Sequence, residues 1–345
     1  MMKRMLACLM LFSLLLASCS GLAENDAQYP WPFIEKIPMK KQYTQEVENK
    51  GTVTTLRYTT HAYALEAVAA GNPEFAYDDN PTIPGIDKEA LCGDETEFFL
   101  EKELYVYLPY GYDPAQKYDV VYLLHGTGEP AAYWLGDTDM GKKAVPMLDR
   151  MIDTGACSPV IVVAPTYYSV PEGKEALFGE AMANDSMANV WPMYFWMEMK
   201  NEIIPLIDST YSTYGNDPDA RDHRAFAGLS RGSMTTVNSI MMHCLDQFAY
   251  FGDYSGAWCD FDAFMETLES DEYRDLDVKF WYNGNGENDF ALQDHQQFLN
   301  RCLTEMPDRF ADGENVAWIP FKKGAHALTC WLPHLYNSLL VFFTK

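Results

Sequence analysis

The sequence predicts an α/β protein, a mostly parallel central sheet of about eight strands with helices on both faces. Three observations carry that expectation. From residue 120 onward, apolar strand-like runs alternate with stretches of helical period, the pattern of strands joined by crossover helices. Several of those runs, Val120 to Leu124 and Val160 to Val163 above all, are continuously apolar, as strands covered on both faces must be. Third, Gly228-Leu229-Ser230-Arg231-Gly232 lies where the short apolar run Ala225-Phe226-Ala227 gives way to helix-like Met234-Thr235-Thr236-Val237, a sharp strand-to-helix turn with glycines at its tight points.

The first residues stand apart from that fold. Lys3 and Arg4 precede an uncharged apolar run from Met5 to Leu16, too short for a bilayer span and right for a secretory signal. It ends in Leu16-Ala17-Ser18-Cys19, which resembles the lipobox of bacterial lipoproteins. Residues 1–18 then read as a signal peptide and Cys19 as the lipidated residue; the alternative is an ordinary signal cut after Ala23. Either reading exports the protein, the first as a membrane-anchored lipoprotein on the cell surface or in the periplasm. Residues 19–50 are polar, carry Pro30, Pro32 and Pro38 and show no sustained period, so they read as a tether or lead-in. Residues 51–345 read as one domain without internal repeats.

Within that domain the strand-like runs are Val53 to Tyr58, Leu104 to Leu108, Val120 to Leu124, Val160 to Val163, Ala225 to Ala227, Tyr250 to Gly252, Val278 to Tyr282 and Val316 to Phe321. Each is a short apolar or β-branched stretch bounded by polar or turn-forming residues. Helical period appears in Gly141 to Ile152, then in Pro192 to Tyr211, where Met199, Ile203 and Ile207 share a face and Pro205 is expected to bend the helix. It continues in Met234 to Cys244 and in Gln293 to Leu303, whose Phe298, Leu299, Cys302 and Leu303 form one stripe. A last helix carries Leu332, Leu335, Tyr336, Leu339, Leu340 and Phe343 at helical spacing.

Composition narrows the function. With 25 basic against 50 acidic residues the formal charge is -25, a surface that repels nucleic acid and anionic membranes; contact with a membrane is expected only through the lipid anchor. A hydrophobic content of 48% supports a large packed core. Cys8 falls in the signal and Cys19 at its end, leaving Cys92, Cys157, Cys244, Cys259, Cys302 and Cys330. Export permits disulfides, yet several of these residues sit on apolar faces, so buried thiols and bridges both remain open. No cysteine or histidine pair has zinc-ligand spacing.

Ser230 is the candidate nucleophile: in a turn of this kind the hydroxyl projects from the tip, with the backbone N–H expected on the same side. A hydroxyl needs a base at neutral pH. Of seven histidines, His326 in Gly324-Ala325-His326-Ala327 follows the last strand and precedes the last helix, at the carboxyl edge where open parallel sheets place their ligands. Of the alternatives, His223 opens the strand leading to Ser230, His243 is at a helix end, His295 and His334 fall within helices, and His61 is near the N-terminal strand. The acid is expected after the strand Val278 to Tyr282, in the turn Asn283-Gly284-Asn285-Gly286-Glu287-Asn288-Asp289. Asp289 is the choice and Glu287 and Asp294 the competitors, since a carboxylate there would accept the imidazole N–H and stabilise the imidazolium. For the oxyanion, one donor is the N–H of Arg231 and the other comes from His125-Gly126-Thr127-Gly128 after the third strand, with Thr127 preferred and Gly128 the alternative. His125 is expected only to anchor that turn.

With these residues assembled, the chain resembles the esterase D group of α/β-hydrolases, especially the feruloyl esterase branch of carbohydrate esterase family 1. The resemblance runs from about Gly51 to Lys345. It rests on Tyr105-Val106-Tyr107-Leu108-Pro109-Tyr110-Gly111-Tyr112-Asp113, on Tyr-Leu-Leu-His-Gly at 122–126, on Gly228-Leu229-Ser230-Arg231-Gly232, on Gly286-Glu287-Asn288-Asp289, and on Gly324-Ala325-His326 with Trp331. It implies an α/β-hydrolase fold, a triad of Ser230, Asp289 and His326, and ester hydrolysis with no cofactor and no metal, on feruloyl or acetyl esters of plant polysaccharide in many members. Arg231 and Ser233 stand where the family often has methionine and glycine. Trp134, Trp191, Trp258 and Trp331 line an aromatic cleft for a phenolic acyl group or sugar ring, or else belong to the core. Two other readings stay open: an esterase for another exported substrate, such as a siderophore ester or peptide, and a noncatalytic binding lipoprotein with the same fold.

Overall fold

The computed structural model describes residues 41–71, 87–176 and 186–344. Its eight strands are β1 (Thr52–His61), β2 (Phe99–Leu108), β3 (Asp119–Leu124), β4 (Val160–Ala164), β5 (Arg224–Leu229), β6 (Tyr250–Tyr254), β7 (Phe280–Gly286) and β8 (Val316–Phe321). They form one sheet in the order β1-β2-β4-β3-β5-β6-β7-β8. β2 is antiparallel to β1 and β4, and every later pair is parallel.

The continuous apolar runs are explained by what lies on each side. Val120, Tyr122 and Leu124 of β3 enter one buried cluster, while Val121 and Leu123 enter the other, so the period-2 alternation of a strand feeds two cores. The first core is covered by the helices Ser186–Glu198, Phe261–Leu268 and Leu292–Glu305, the second by Gly141–Asp153 and Leu328–Leu339. Among the described residues no helix is long and apolar enough to cross a membrane. The six described cysteines are free thiols.

Four differences from the sequence expectation have physical causes. The helical run that carries Pro205 is not one regular α-helix. The chain widens into a π turn at Met199–Ile203, and Pro205 opens the next helix, Ile204–Thr210, where its missing N–H costs little. The Asn-Gly-Asn-Gly stretch is not a turn. β7 runs through Gly286, paired with β6 on one side and β8 on the other, because a side chain at Gly284 would enter the His334 imidazole and one at Gly286 would strike the Gly324 carbonyl. The last helix stops at Leu339, and Phe343 lies beyond it at φ +62°. Finally, the end of the lead-in is docked: Lys41–Thr44 forms a 3-10 turn with Tyr43 against Tyr336, ring centroids 5.1 Å apart. Asn49 donates to Asp153 at 2.8 Å and the Gly51 amide to Asp149 at 2.7 Å.

Register places the candidate residues. Leu124 pairs with Gly228, Leu229 with Tyr254, Tyr254 with Gly284, and Gly286 with Phe321. The segments following β3, β5, β7 and β8 therefore leave the sheet side by side at its carboxyl edge, the edge that binds ligands in open α/β sheets.

Candidate active site

Ser230 sits between β5 and the helix Arg231–Thr235 with φ 52° and ψ -119°. For a residue with a side chain this is a strained conformation, costing about 1–3 kcal/mol and held only where neighbours enforce it. Enforcement is visible on three sides. A Cβ on Gly228 would collide with the Gly232 backbone, and one on Gly232 would lie 2.6 Å from the His125 carbonyl oxygen and 2.7 Å from that of Leu124. Glycine at both positions is what lets strand, helix and β3 meet. The Ser230 amide donates to Tyr254 O at 2.8 Å, so it is tied to β6 and does not face the tip as expected; the next amide, that of Arg231, opens the helix.

The structure brings Ser230, His326 and Asp289 together. Ser230 Oγ lies 2.8 Å from His326 Nε2, and His326 Nδ1 lies 2.9 Å and 3.0 Å from the two Asp289 oxygens. A carboxylate only accepts, so Nδ1 carries the proton and Nε2 presents its lone pair to the serine O–H. Burial by itself raises the Asp289 carboxyl, but hydrogen bonds from His326 and the Ala291 amide outweigh it and hold the group below its ordinary value. The carboxylate thus stays charged opposite the imidazole.

The competing residues are elsewhere. Glu287 accepts the Lys323 amide at 3.1 Å, fastening the turn after β7 to that after β8. His223 pairs with Asp119 at 2.6 Å at the opposite end of β5. His243 stacks on Trp196, His61 bonds Glu66, and buried His295 and His334 face Asn283 and the Tyr282 hydroxyl.

The loop after β3 is pinned residue by residue. His125 donates from Nδ1 to Gly126 O at 2.8 Å, and its Nε2 accepts from the Thr166 hydroxyl at 2.7 Å. Burial pushes this imidazole down to about 4, against the opposing Gly126 bond and with the help of the Lys102 charge, so it is neutral and anchors the turn. The Gly126 amide donates to Glu129 Oε2 at 2.7 Å, and the Gly128 amide to Tyr168 Oη at 2.6 Å. That occupies the alternative donor. The Thr127 amide has no hydrogen-bond partner among the described residues, and Arg231 Nε bonds Thr127 Oγ1 at 3.2 Å, linking the two residues expected to supply oxyanion donors. Beneath the loop, buried Lys102 donates to Thr166 O at 2.6 Å and pairs with Glu198.

Sequence reasoning missed Glu129, Thr166 and Tyr168, which carry no motif. It also missed the partner of Ser233, whose hydroxyl donates to Asp253 Oδ1 at 2.8 Å while the Trp281 indole donates to Oδ2 at 2.6 Å. Burial raises this carboxyl to about 7. The departure from glycine at 233 thus ties the helix behind the nucleophile to β6 and β7.

The tryptophans divide. Trp134 is fully buried and donates to Leu124 O at 3.1 Å, which corrects its placement in a cleft: it braces β3 from the core. Trp191 is likewise buried. Trp258 is half-buried against the first core. Trp331 meets the His326 ring edge-on, centroids 5.0 Å apart. The exposed aromatic at the site is Phe290, whose ring lies 4.3 Å from that of His326. Cys19 lies outside the described residues.

Comparison with known proteins shows the family and the fold. A family model described as putative esterase matches residues 100–340. Endo-1,4-beta-xylanase Y of Acetivibrio thermocellus is 37% identical over 162 residues, 45% of this chain and 13% of that protein. An endo-1,4-beta-xylanase/feruloyl esterase of Xylanibacter ruminicola is 30% identical over 190 residues, 53% of this chain and 22% of that protein. The match to each thus takes in only a small part of the relative's length. Among solved structures, a feruloyl esterase module from Clostridium thermocellum complexed with sinapinate has a TM-score of 0.66 at 22% identity, covering 92% of this chain and 97% of that one. A ferulic acid esterase from Anaeromyces mucronatus has a TM-score of 0.59 at 17% identity, covering 91% and 98%. At such identities the likeness carries the fold, that of the α/β-hydrolases.

Proposed function

The chain belongs to the putative esterase family, and from that premise we propose that it is an exported serine carboxylic-ester hydrolase acting on feruloyl or acetyl esters of plant polysaccharide. Ser230 Oγ attacks the ester carbonyl carbon as His326 Nε2 takes its proton. The carbonyl oxygen, now an oxyanion, accepts the amides of Thr127 and Arg231. Collapse breaks the bond to the alcohol, which leaves with the proton from Nε2, and the acyl group stays on Ser230. Water then attacks the acyl carbon, giving its proton to the same nitrogen, and collapse breaks the bond to Ser230 Oγ, which takes that proton back from Nε2 as the acid departs. Asp289 remains charged throughout and stabilises the imidazolium.

The observation that carries the reading is the continuous chain Ser230 Oγ, His326 Nε2, His326 Nδ1, Asp289 at 2.8 and 2.9 Å. A binding protein that had only kept the fold has no use for a serine held at positive φ against a histidine. The acyl preference draws support from one relative whose name includes feruloyl esterase and from a fold neighbour complexed with sinapinate. Export and tethering at Cys19, with residues 19–50 as lead-in and 51–345 as the catalytic domain, draw support from the charged start and apolar run. The test is hydrolysis of methyl ferulate and of an aryl acetate, resistant to chelator and abolished by a serine-directed fluorophosphonate. Turnover of neither ester, or turnover that the phosphonate leaves intact, overturns the proposal.

A further inference from the structure

Phe290 is 80% exposed, more than Tyr110 and Phe99, the other large exposed hydrophobics among the described residues. A lone exposed apolar side chain is ordinary on a protein surface; what distinguishes this one is how it is held and what it touches. It lies between Asp289 and Ala291 in a turn whose backbone is hydrogen-bonded on both sides of it. The Asn288 amide donates to Gly324 O at 2.8 Å, the Asp289 amide to Gly286 O at 3.2 Å, the Ala291 amide to Asp289 Oδ1 at 2.9 Å and the Leu292 amide to Asp289 O at 3.2 Å. The ring is therefore presented by a rigid support, not by a loop that can fold it away. It packs on the His326 imidazole at a centroid distance of 4.3 Å and a tilt of 36°, and its high exposure leaves apolar surface open to solvent.

The chemistry proposed above fixes which part of the substrate passes that surface. The leaving alcohol takes its proton from His326 Nε2, so its oxygen must come within about 3 Å of that nitrogen. The residues assigned to the oxyanion, Thr127 and Arg231, follow β3 and β5, whereas Phe290 and His326 follow β7 and β8. In the sheet order these lie on opposite sides of β6, which puts the aromatic ring on the histidine side, with the alcohol. A methyl or ethyl alcohol has almost nothing to lay against such a ring. A sugar does: one face of a furanose or pyranose is a patch of C–H groups that buries apolar surface against an aromatic plane.

We infer that Phe290 is a specificity-determining residue, the platform on which the sugar ring of the leaving alcohol stacks. The inference rests on the esterase reading. Its test holds the acyl group constant and changes only the alcohol, comparing kcat/KM for a feruloyl ester of methyl arabinofuranoside with that for methyl ferulate. In Phe290→Ala the ratio of sugar ester to methyl ester falls roughly tenfold, the size of effect an apolar contact gives. The fall is mainly in KM, because the contact is made in the ground state as well. Phe290→Trp, which keeps a flat ring, restores the ratio. An unchanged ratio overturns the inference, whether both substrates lose equally, meaning that the ring only steadies His326, or neither loses. Failure of the underlying reading looks different: the wild-type protein then cleaves neither ester and Ser230 takes no phosphonate, and the inference falls with it.

Discussion

Glu129 offers a severe test of how the oxyanion loop is built. Its carboxylate accepts the Gly126 amide at 2.7 Å, and it also bonds the Tyr133 hydroxyl. Gly126 is pressed against the nucleophile: a Cβ there would lie 2.9 Å from Leu229 Cδ1 and 3.1 Å from Ser230 Cβ. Glu129→Ala removes the acceptor and leaves a buried N–H without one, a loss of about 1–3 kcal/mol. Relief of the carboxylate's burial, which raises its pKa above the ordinary carboxylate value, offsets part of this. A net loss of about 1–2 kcal/mol remains, a fall in Tm of a few degrees for a chain of this length. The larger effect is on rate. Removing an oxyanion donor outright costs about 10²–10³ in kcat, so a Thr127 amide that is displaced but still present costs roughly 10-fold to 100-fold. The loss falls on kcat with KM little changed, because the oxyanion exists only near the transition state. Glu129→Gln keeps an acceptor oxygen and recovers most of the rate. Steady-state kinetics on methyl ferulate with thermal unfolding of the three proteins measure both effects. Full kcat in Glu129→Ala, or a loss confined to KM, refutes the reasoning.

Three further outcomes are expected. Asp289→Asn retains the fold and loses about 10⁴ in kcat, since the imidazole is then held in the wrong tautomer, while Glu287→Gln changes kcat little; the reverse pattern in kinetic assays shifts the acid to Glu287. Asp253 is raised from 3.8 to about 7, so the folded state keeps a proton that the unfolded chain gives up. The stability it contributes is complete below pH 4 and is lost as pH rises to about 7. Asp253→Asn can donate to Ser233 and accept from Trp281 without titrating, so denaturant unfolding at pH 4 and pH 8 shows the variant gaining on wild type by up to about 4 kcal/mol at the higher pH. A constant difference across that range contradicts the assignment. For the tether, full-length protein produced in a bacterium partitions with membranes and Cys19→Ala does not; a mature chain beginning at Glu24 without lipid rules the anchor out.

How much of this was legible depended on whether the cause was local. Strands covered on both faces must be apolar throughout, so Val120 to Leu124 and Val160 to Val163 were readable by eye, and the order of Ser230, Asp289 and His326 followed from chain order along a parallel sheet. Gly284 and Gly286 misled because Asn-Gly has the chemistry of a turn. Their real cause is His334 and the Gly324 carbonyl packing against the strand, contacts made by residues some 40–50 positions away in sequence. Trp134 sat beside the oxyanion loop in sequence and yet under it in space, where its indole satisfies the end of β3. Glu129 and Tyr168 could not be found, because an acceptor for a loop amide needs only an oxygen at the right distance, and that distance is set by the fold.

The central claim is that Ser230 becomes acylated through His326. Brief mixing of the enzyme with a p-nitrophenyl ester, acid quench and peptide mass mapping test it most directly. The account predicts a burst of p-nitrophenol close to one equivalent of enzyme and an acyl mass shift on the peptide containing Ser230. Both are absent in Ser230→Ala and strongly slowed in His326→Ala, and the double variant loses little more than either single one because the two residues act as a unit. Acyl mass on another residue, or undiminished hydrolysis by Ser230→Ala, contradicts it.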